Sequence, residues 1–239
     1  MERSTKINIE TITPFGPIIL YTKVPDYVLD HYNNYCDSII ADKKKLKEND
    51  HSHNLAGNVR NEFYIDKEFI DKEHNLLNIV NLMAQQMLVA DRRGSEDEVS
   101  VSYLKNAPSD KMTVLPNAVV GCDLVSMWCV SQWAGDFNPL HVHSGDLSGV
   151  LYTKIPPSLD AEYAKEDHHP AVGDIHFIAG TPQAFARNNV KFKPRAGDFY
   201  IFPAWLHHTA YPFRSQNEER RSLSFNITYK IDHSLVGNI

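Results

Sequence analysis

Residues 138–152 read NPLHVHSGDLSGVLY, and the fold is read outward from this stretch. His141 and His143 stand two apart, and the run after them, Leu147–Ile155, has the texture of a strand. On a strand, side chains at i and i+2 face the same way. On the inner face of a barrel strand, two such imidazoles make adjacent metal ligands. Taken alone, an HxH is equally a pair of exposed or core histidines.

The surrounding sequence supports the barrel. Beyond residue 100, short runs rich in Val, Ile, Tyr, Phe and Trp alternate with Gly, Pro, Asn and Asp. Leu124–Trp133, Asp174–Ile178, Asp198–Phe202 and Arg221–Ile231 are further examples. This pattern predicts many antiparallel strands, hence a sandwich or barrel. The first 100 residues are mixed, with helices prominent. Ile18–Tyr21 reads as a short strand, and Asp26, after a proline, as a helix cap. Val28, Tyr32, Tyr35, Cys36, Ile39 and Ile40 then recur at helical spacing. Leu76, Leu77, Ile79, Val80, Met83, Met87 and Leu88 form one broad apolar face, ending near Arg92–Gly94. Lys43–His53 reads as a solvated helix end and loop. No linker separates the halves. The expectation is one mainly β domain over 1–239, with residues 1–100 as helix-rich support and 101–239 as the barrel core.

Composition bounds the function. The chain has 239 residues, 42% hydrophobic and 23% charged, with a net charge of −6. No basic excess exists for broad binding to nucleic acid or an anionic membrane. The N-terminus lacks the apolar run of a signal peptide, and no stretch is long enough to span a membrane. Cys36, Cys122 and Cys129 are odd in number and form no CxxC, which fits a reducing cytoplasm. Histidine is the unusual count, at 12.

A third ligand is offered by His207–His208 in FPAWLHHTAYPF. Only one of two neighbours on an extended chain points inward, and spacing alone leaves either choice open. In ERRSLSFNITY, Arg220, Ser222, Ser224 and Asn226 share one face, with Leu223, Phe225 and Ile227 on the other. A guanidinium and a hydroxyl two apart beside a metal site suit a carboxylate-bearing ligand. By itself the polar face is equally an outer, solvated one.

The order HxH, a Tyr-bearing strand, His and then RxS resembles the Fe(II)/2-oxoglutarate (2OG)-dependent oxygenases. Within them it is most similar to the prolyl-hydroxylase-like branch and its bacterial and phage relatives. HVHSGDLSGVLY, AGDFYIFPAWLHH and RRSLSFN carry the resemblance. It implies a double-stranded β-helix and the use of Fe(II), 2-oxoglutarate and O2. It also implies that His141 is the first metal ligand, that His143 stands where a carboxylate is usual, and that His208 is the distal ligand. Arg220 and Ser222 match the pair that holds the far carboxylate of 2-oxoglutarate. Tyr152 matches a tyrosine that hydrogen-bonds the same group.

The histidine at position 143 departs from the usual two-histidine, one-carboxylate set. Three readings follow: a three-histidine site; Asp146 as the carboxylate with His143 outside; or His143 as first ligand with Gly145 at a vacant position. The default reaction is hydroxylation of a peptidyl (for example prolyl) or small-molecule substrate. A cupin-type three-histidine dioxygenase is the enzymatic alternative, although no Glu follows His143 at cupin spacing. A non-catalytic barrel is the other. Trp133, Asn138 and Trp205 flank the ligands, with core packing expected for Trp133 and a turn for Asn138. The long loop Pro156–Gly173 suits a lid. His168 and His169 in it read as solvated and His176 as barrel packing. His31, His51, His53, His74 and His233 read as helix-face, polar-loop or tail residues.

Overall fold

Residues 10–12, 16–72, 74–90, 99–100, 113–114, 119–164, 172–184, 187–231 and 236–237 are described by the computed structural model. Arg92–Gly94, His168, His169 and His233 lie outside them. Among the described residues no helix is long and apolar enough to cross a membrane.

Strands β1 (Glu10–Ile12) and β2 (Ile19–Lys23) precede the first helices. The helical spacing after Pro25 gives α1 (Asp26–Ala41), which buries Val28, Leu29, Tyr32, Cys36 and Ile39. Asp26 is not its cap: Pro25 takes that position with no side-chain bond, and Asp26 lies in the first turn, where the helix dipole favours its charge. Asp42 breaks the helix and caps α2 (Lys43–Glu48) by accepting from the Lys44 and Lys45 amides. Next come β3 (Asn61–Tyr64), α3 (Lys67–Lys72) and α4 (His74–Ala90). In α4, Leu76, Ile79, Val80, Met83, Met87 and Leu88 are buried, as their spacing predicts.

The barrel follows: β4 (Val99–Ser100), β5 (Thr113–Val114), β6 (Val119–Gln132), β7 (Asn138–His141) and β8 (Leu147–Lys154). A short helix α5 (Leu159–Tyr163) opens the long loop. After it come β9 (Ile175–Ile178), β10 (Asn189–Phe192), β11 (Asp198–Pro203), β12 (His207–Ala210), β13 (Arg220–Ile231) and β14 (Val236–Gly237). The larger sheet has seven strands in the order β1-β2-β11-β8-β13-β6-β3, and the smaller has four, β10-β9-β12-β7. Three short strands, β14-β5-β4, form a third. The result is a double-stranded β-helix, mainly β with flanking helices.

Alternation on the long strands sorts the two faces of the larger sheet. Leu223, Phe225, Ile227 and Tyr229 of β13 are buried in one cluster with Leu151 of β8 and residues of α1 and α4. Each such burial contributes roughly 1.5–3 kcal/mol. The Tyr229 hydroxyl donates to the Ala84 carbonyl of α4 at 2.7 Å, fixing helix to sheet. The opposite face packs Val150, Tyr152, Tyr200 and Phe202 against Ile175 and Phe177 of the smaller sheet. Ser222 and Ser224 therefore line the space between the sheets, and the polar face of β13 is the inner one.

Candidate active site

The three histidines come together because β7 and β12 pair antiparallel, with His141 directly opposite His208. His143 lies just past the end of β7, and its amide donates to the Ala204 carbonyl at 2.9 Å. Their ligand nitrogens all fall within 4.8 Å of one another. His208 is the inward member of its pair, buried, while His207 is exposed.

Hydrogen bonding sets the tautomers. His141 Nδ1 lies 2.7 Å from the Pro139 carbonyl, and His208 Nδ1 lies 2.9 Å from that of Leu206. A carbonyl only accepts, so both Nδ1 atoms carry hydrogen and each Nε2 keeps a lone pair. His143 Nε2 is 3.1 Å from His208 Nε2. Two nitrogens bound at right angles to one ion at ~2.1 Å stand ~3.0 Å apart, so the spacing fits a shared metal. Burial lowers the pKa of all three rings, that of His143 to about 3. They are neutral at pH 7, the ligating form.

Among the described residues no carboxylate joins this group. Asp146 accepts from the Tyr229 amide at 2.8 Å, and it stands outside the three-histidine cluster. Gly145 has a backbone reason to be glycine. Its φ is +99°, and a Cβ there would meet the Ile227 carbonyl oxygen at 2.8 Å.

The cleft runs from the histidines along the inner face of the larger sheet. Glu62, Val130, Ser222 and Tyr152 are laterally paired neighbours across β3, β6, β13 and β8. All four line the cleft, with Gln132, Ser224, Ile175 and Phe202. Burial raises the Tyr152 hydroxyl to about 12, so it stays a donor. Arg220 is fully buried beside them. Its Nε and Nη2 donate to Gln132 Oε1 at 2.9 and 2.6 Å, and its Nη1 donates to the Gly173 carbonyl. Burial works against its charge, while Tyr152, Asp174 and Asp136 support it. Among the described residues, no carboxylate oxygen pairs with Arg220 within 4 Å. Its neighbour Arg221 is different, bonded to Glu219 and Asp37 and tying β13 to α1.

Residues 126–226 match the model of the family described as "Putative 2OG-Fe(II) oxygenase". Over this span the chain is similar to the 2OG-Fe(II) oxygenases. All six site residues of the resemblance fall in the matched span. The oxygenase uses Fe(II), 2-oxoglutarate and O2, and the neutral three-histidine donor set suits the iron. The match favours a 2OG-dependent oxygenase over the cupin-type and non-catalytic readings. Similar solved structures include a Pseudomonas putida prolyl-4-hydroxylase, 14% identical, with 87% of the oxygenase and 91% of that chain covered at TM-score 0.47. The viral collagen prolyl hydroxylase of Paramecium Bursaria Chlorella virus-1 is 14% identical, with 92% and 94% covered at TM-score 0.45. Iron-bound HygX of Streptomyces hygroscopicus is 11% identical, with 88% and 81% covered at TM-score 0.41. No curated protein matches the oxygenase.

Several flanking residues differ from expectation. His51 is not in a solvated loop. It is buried, its ring 3.6 Å from Tyr64 and 5.5 Å from Trp128. Trp133 is half-buried past the end of β6, with the Arg60 guanidinium 5.1 Å over its ring. Trp205 is exposed in the turn between β11 and β12. Asn138 lies on β7, where it accepts from Gln132 and donates to Glu62 and the Ala56 carbonyl. His176 packs on Tyr211, as expected of a barrel residue. Glu62, Trp128 and Gln132 are among the cleft residues that sequence reading missed. The only local signal for Glu62 is the alternation of NEFYI, with Phe63 and Ile65 in the core.

Proposed function

We propose that the protein hydroxylates a peptidyl or small-molecule substrate, with His141, His143 and His208 as iron ligands. Arg220, Ser222 and Tyr152 hold the far carboxylate of 2-oxoglutarate. The carrying observation is a buried guanidinium with no carboxylate partner within 4 Å among the described residues, beside a cleft that contains three converging imidazoles. A buried charge is costly unless paired, and a bound carboxylate would pair it. When bound, Fe(II) and 2-oxoglutarate supply the oxidative decarboxylation that activates O2.

The chain's own residues set the conditions. Gln132 clamps the guanidinium from one side and the Gly173 carbonyl from another, so its remaining N–H groups are preoriented. The Tyr152 and Ser222 hydroxyls stand on paired positions and add donors to the same carboxylate. Val150, Ile175 and Phe202 keep water from that end. We read residues 1–239 as one domain, because α1 and α4 share a core with the larger sheet. The three free thiols suit the cytoplasm.

The test is anaerobic titration of the Fe(II)-loaded protein with 2-oxoglutarate. A visible charge-transfer band that appears on addition supports the reading. A loaded protein without the band overturns it.

A further inference from the structure

The cleft wall on β3 carries a carboxyl group for which the proposed reaction has no use. Glu62 is 4% exposed and lines the cleft. Oε1 accepts from Asn138 Nδ2 at 3.3 Å, and Oε2 accepts no hydrogen bond from any described residue. No Lys, Arg or His nitrogen among the described residues pairs with it within 4 Å. We propose that Glu62 determines specificity by receiving a positively charged nitrogen of the substrate, an ammonium or guanidinium. The proposal rests on reading the cleft as an oxygenase site.

Position argues for a substrate contact. Ser222, at the 2-oxoglutarate end, is two strands from Glu62, or roughly 10 Å. Glu62 therefore lies beyond the reach of the cosubstrate's anchor. Trp128, the next inward residue of β6, presents its indole 5.5 Å from the His143 ring. A carboxylate beside an aromatic wall is a favourable setting for an organic cation.

Charge argues for a cation. Burial and the nearby carboxylates of Asp136 and Asp50 push the Glu62 pKa up to about 7. An arriving ammonium relieves the repulsion and favours the ionised form. Arg60, two residues before Glu62, is turned over Trp133 instead. The cleft thus has a charged group at either end, with Arg220 near one terminus and Glu62 at the other.

The wall is also rigid. His51 donates its amide to the Glu62 carbonyl at 2.8 Å, and Tyr64 donates to that of Asn49 at 2.9 Å. Asn58 and Phe137 exchange amide bonds across to β7. The backbone that carries the carboxyl is therefore tied down before any ligand arrives.

The experiment is anaerobic calorimetric titration of the full chain loaded with Fe(II) and 2-oxoglutarate. The probes are n-butylamine and agmatine as free cations, a lysine-containing hexapeptide, and the N-acetylated form of each. The expected result is that at least one cation binds about tenfold tighter than its acetylated partner. That preference disappears in Glu62→Gln and is weakened but kept in Glu62→Asp. Preference confined to the hexapeptide identifies a peptidyl source; preference for a free amine identifies a small molecule. Equal binding of charged and acetylated probes to the wild type overturns the proposal. So does a preference that survives Glu62→Gln. If Glu62→Gln does not fold, the wild-type comparison and Glu62→Asp decide. Loss of the 2-oxoglutarate band in the wild type would overturn the oxygenase site reading instead, with the cation preference still measured.

Discussion

The Nε2 atoms of His143 and His208 face each other at 3.1 Å, although 65 residues separate them along the chain. His208 Nε2 keeps its lone pair, so in the neutral pair the hydrogen between the two rings belongs to His143 Nε2. The third nitrogen, on His141, is held in reach by strand pairing rather than by sequence adjacency.

His143→Ala is therefore expected to lose iron, with affinity falling ~100-fold or more, since only two imidazoles remain. Asp146→Asn is expected to keep it, because that carboxylate serves the Tyr229 amide. Metal analysis after anaerobic loading distinguishes the two. Iron retained in the first variant and lost in the second would reverse the assignment.

Arg220→Ala should weaken 2-oxoglutarate binding by about 2–5 kcal/mol, the usual cost of removing one member of a buried charge pair. Iron content should stay close to that of the wild type. Parallel titrations of metal and cosubstrate test this. Equal loss of both would make Arg220 a purely structural residue.

The two faces of β13 should respond differently. Leu223 is fully buried under the helices, so Leu223→Ala is expected to cost about 2–5 kcal/mol of stability in urea. Ser222→Ala, on the cleft face, should cost about 1 kcal/mol or less and raise the 2-oxoglutarate requirement instead.

Glu62 gives a pH signature of its own. Its pKa rises from 4.5 to about 7 on folding, so the folded state binds more protons between those values. That contribution to stability is complete below about 4.5 and is lost as pH rises through about 7. In urea unfolding of the metal-free protein, wild type minus Glu62→Gln should decline by on the order of 2–3 kcal/mol from pH 4.5 to 7.5. A flat difference would show that burial does not perturb this group.

Gly145→Ala combines a left-handed φ with a Cβ 2.8 Å from a backbone oxygen. It is expected to destabilise by roughly 1–3 kcal/mol and to loosen iron, because the turn positions His143. Thermal unfolding with and without Fe(II) reads both effects.

Much of the site was legible because its parts repeat at strand period within single segments. His141 and His143 announce a shared direction by spacing alone, and Arg220 and Ser222 do the same. Direction is not the same as surroundings, however. Whether the polar face of β13 met water or a cleft depended on β8 and β6 flanking it and on the smaller sheet lying across. Glu62 was invisible for that reason. It is one acidic residue in a four-residue strand, and its environment comes from β6, β7 and the chain between them. His51 sits in a polar run yet is buried by Tyr64 and Trp128, and Asn138 before a proline reads as a turn although β12 draws it into a strand.

The order of strands in the larger sheet governs when the site can exist. β6 and β8 are not paired with each other; β13, which follows both along the chain, lies between them. A ribosome that has released residues 1–210 has already delivered all three histidines, but the floor beneath them is still missing. A cleft wall that includes Ser222 is thus complete only once β13 has paired with both neighbours. Pairing of that central strand joins distant parts of the sequence, the kind of contact that is slow to form.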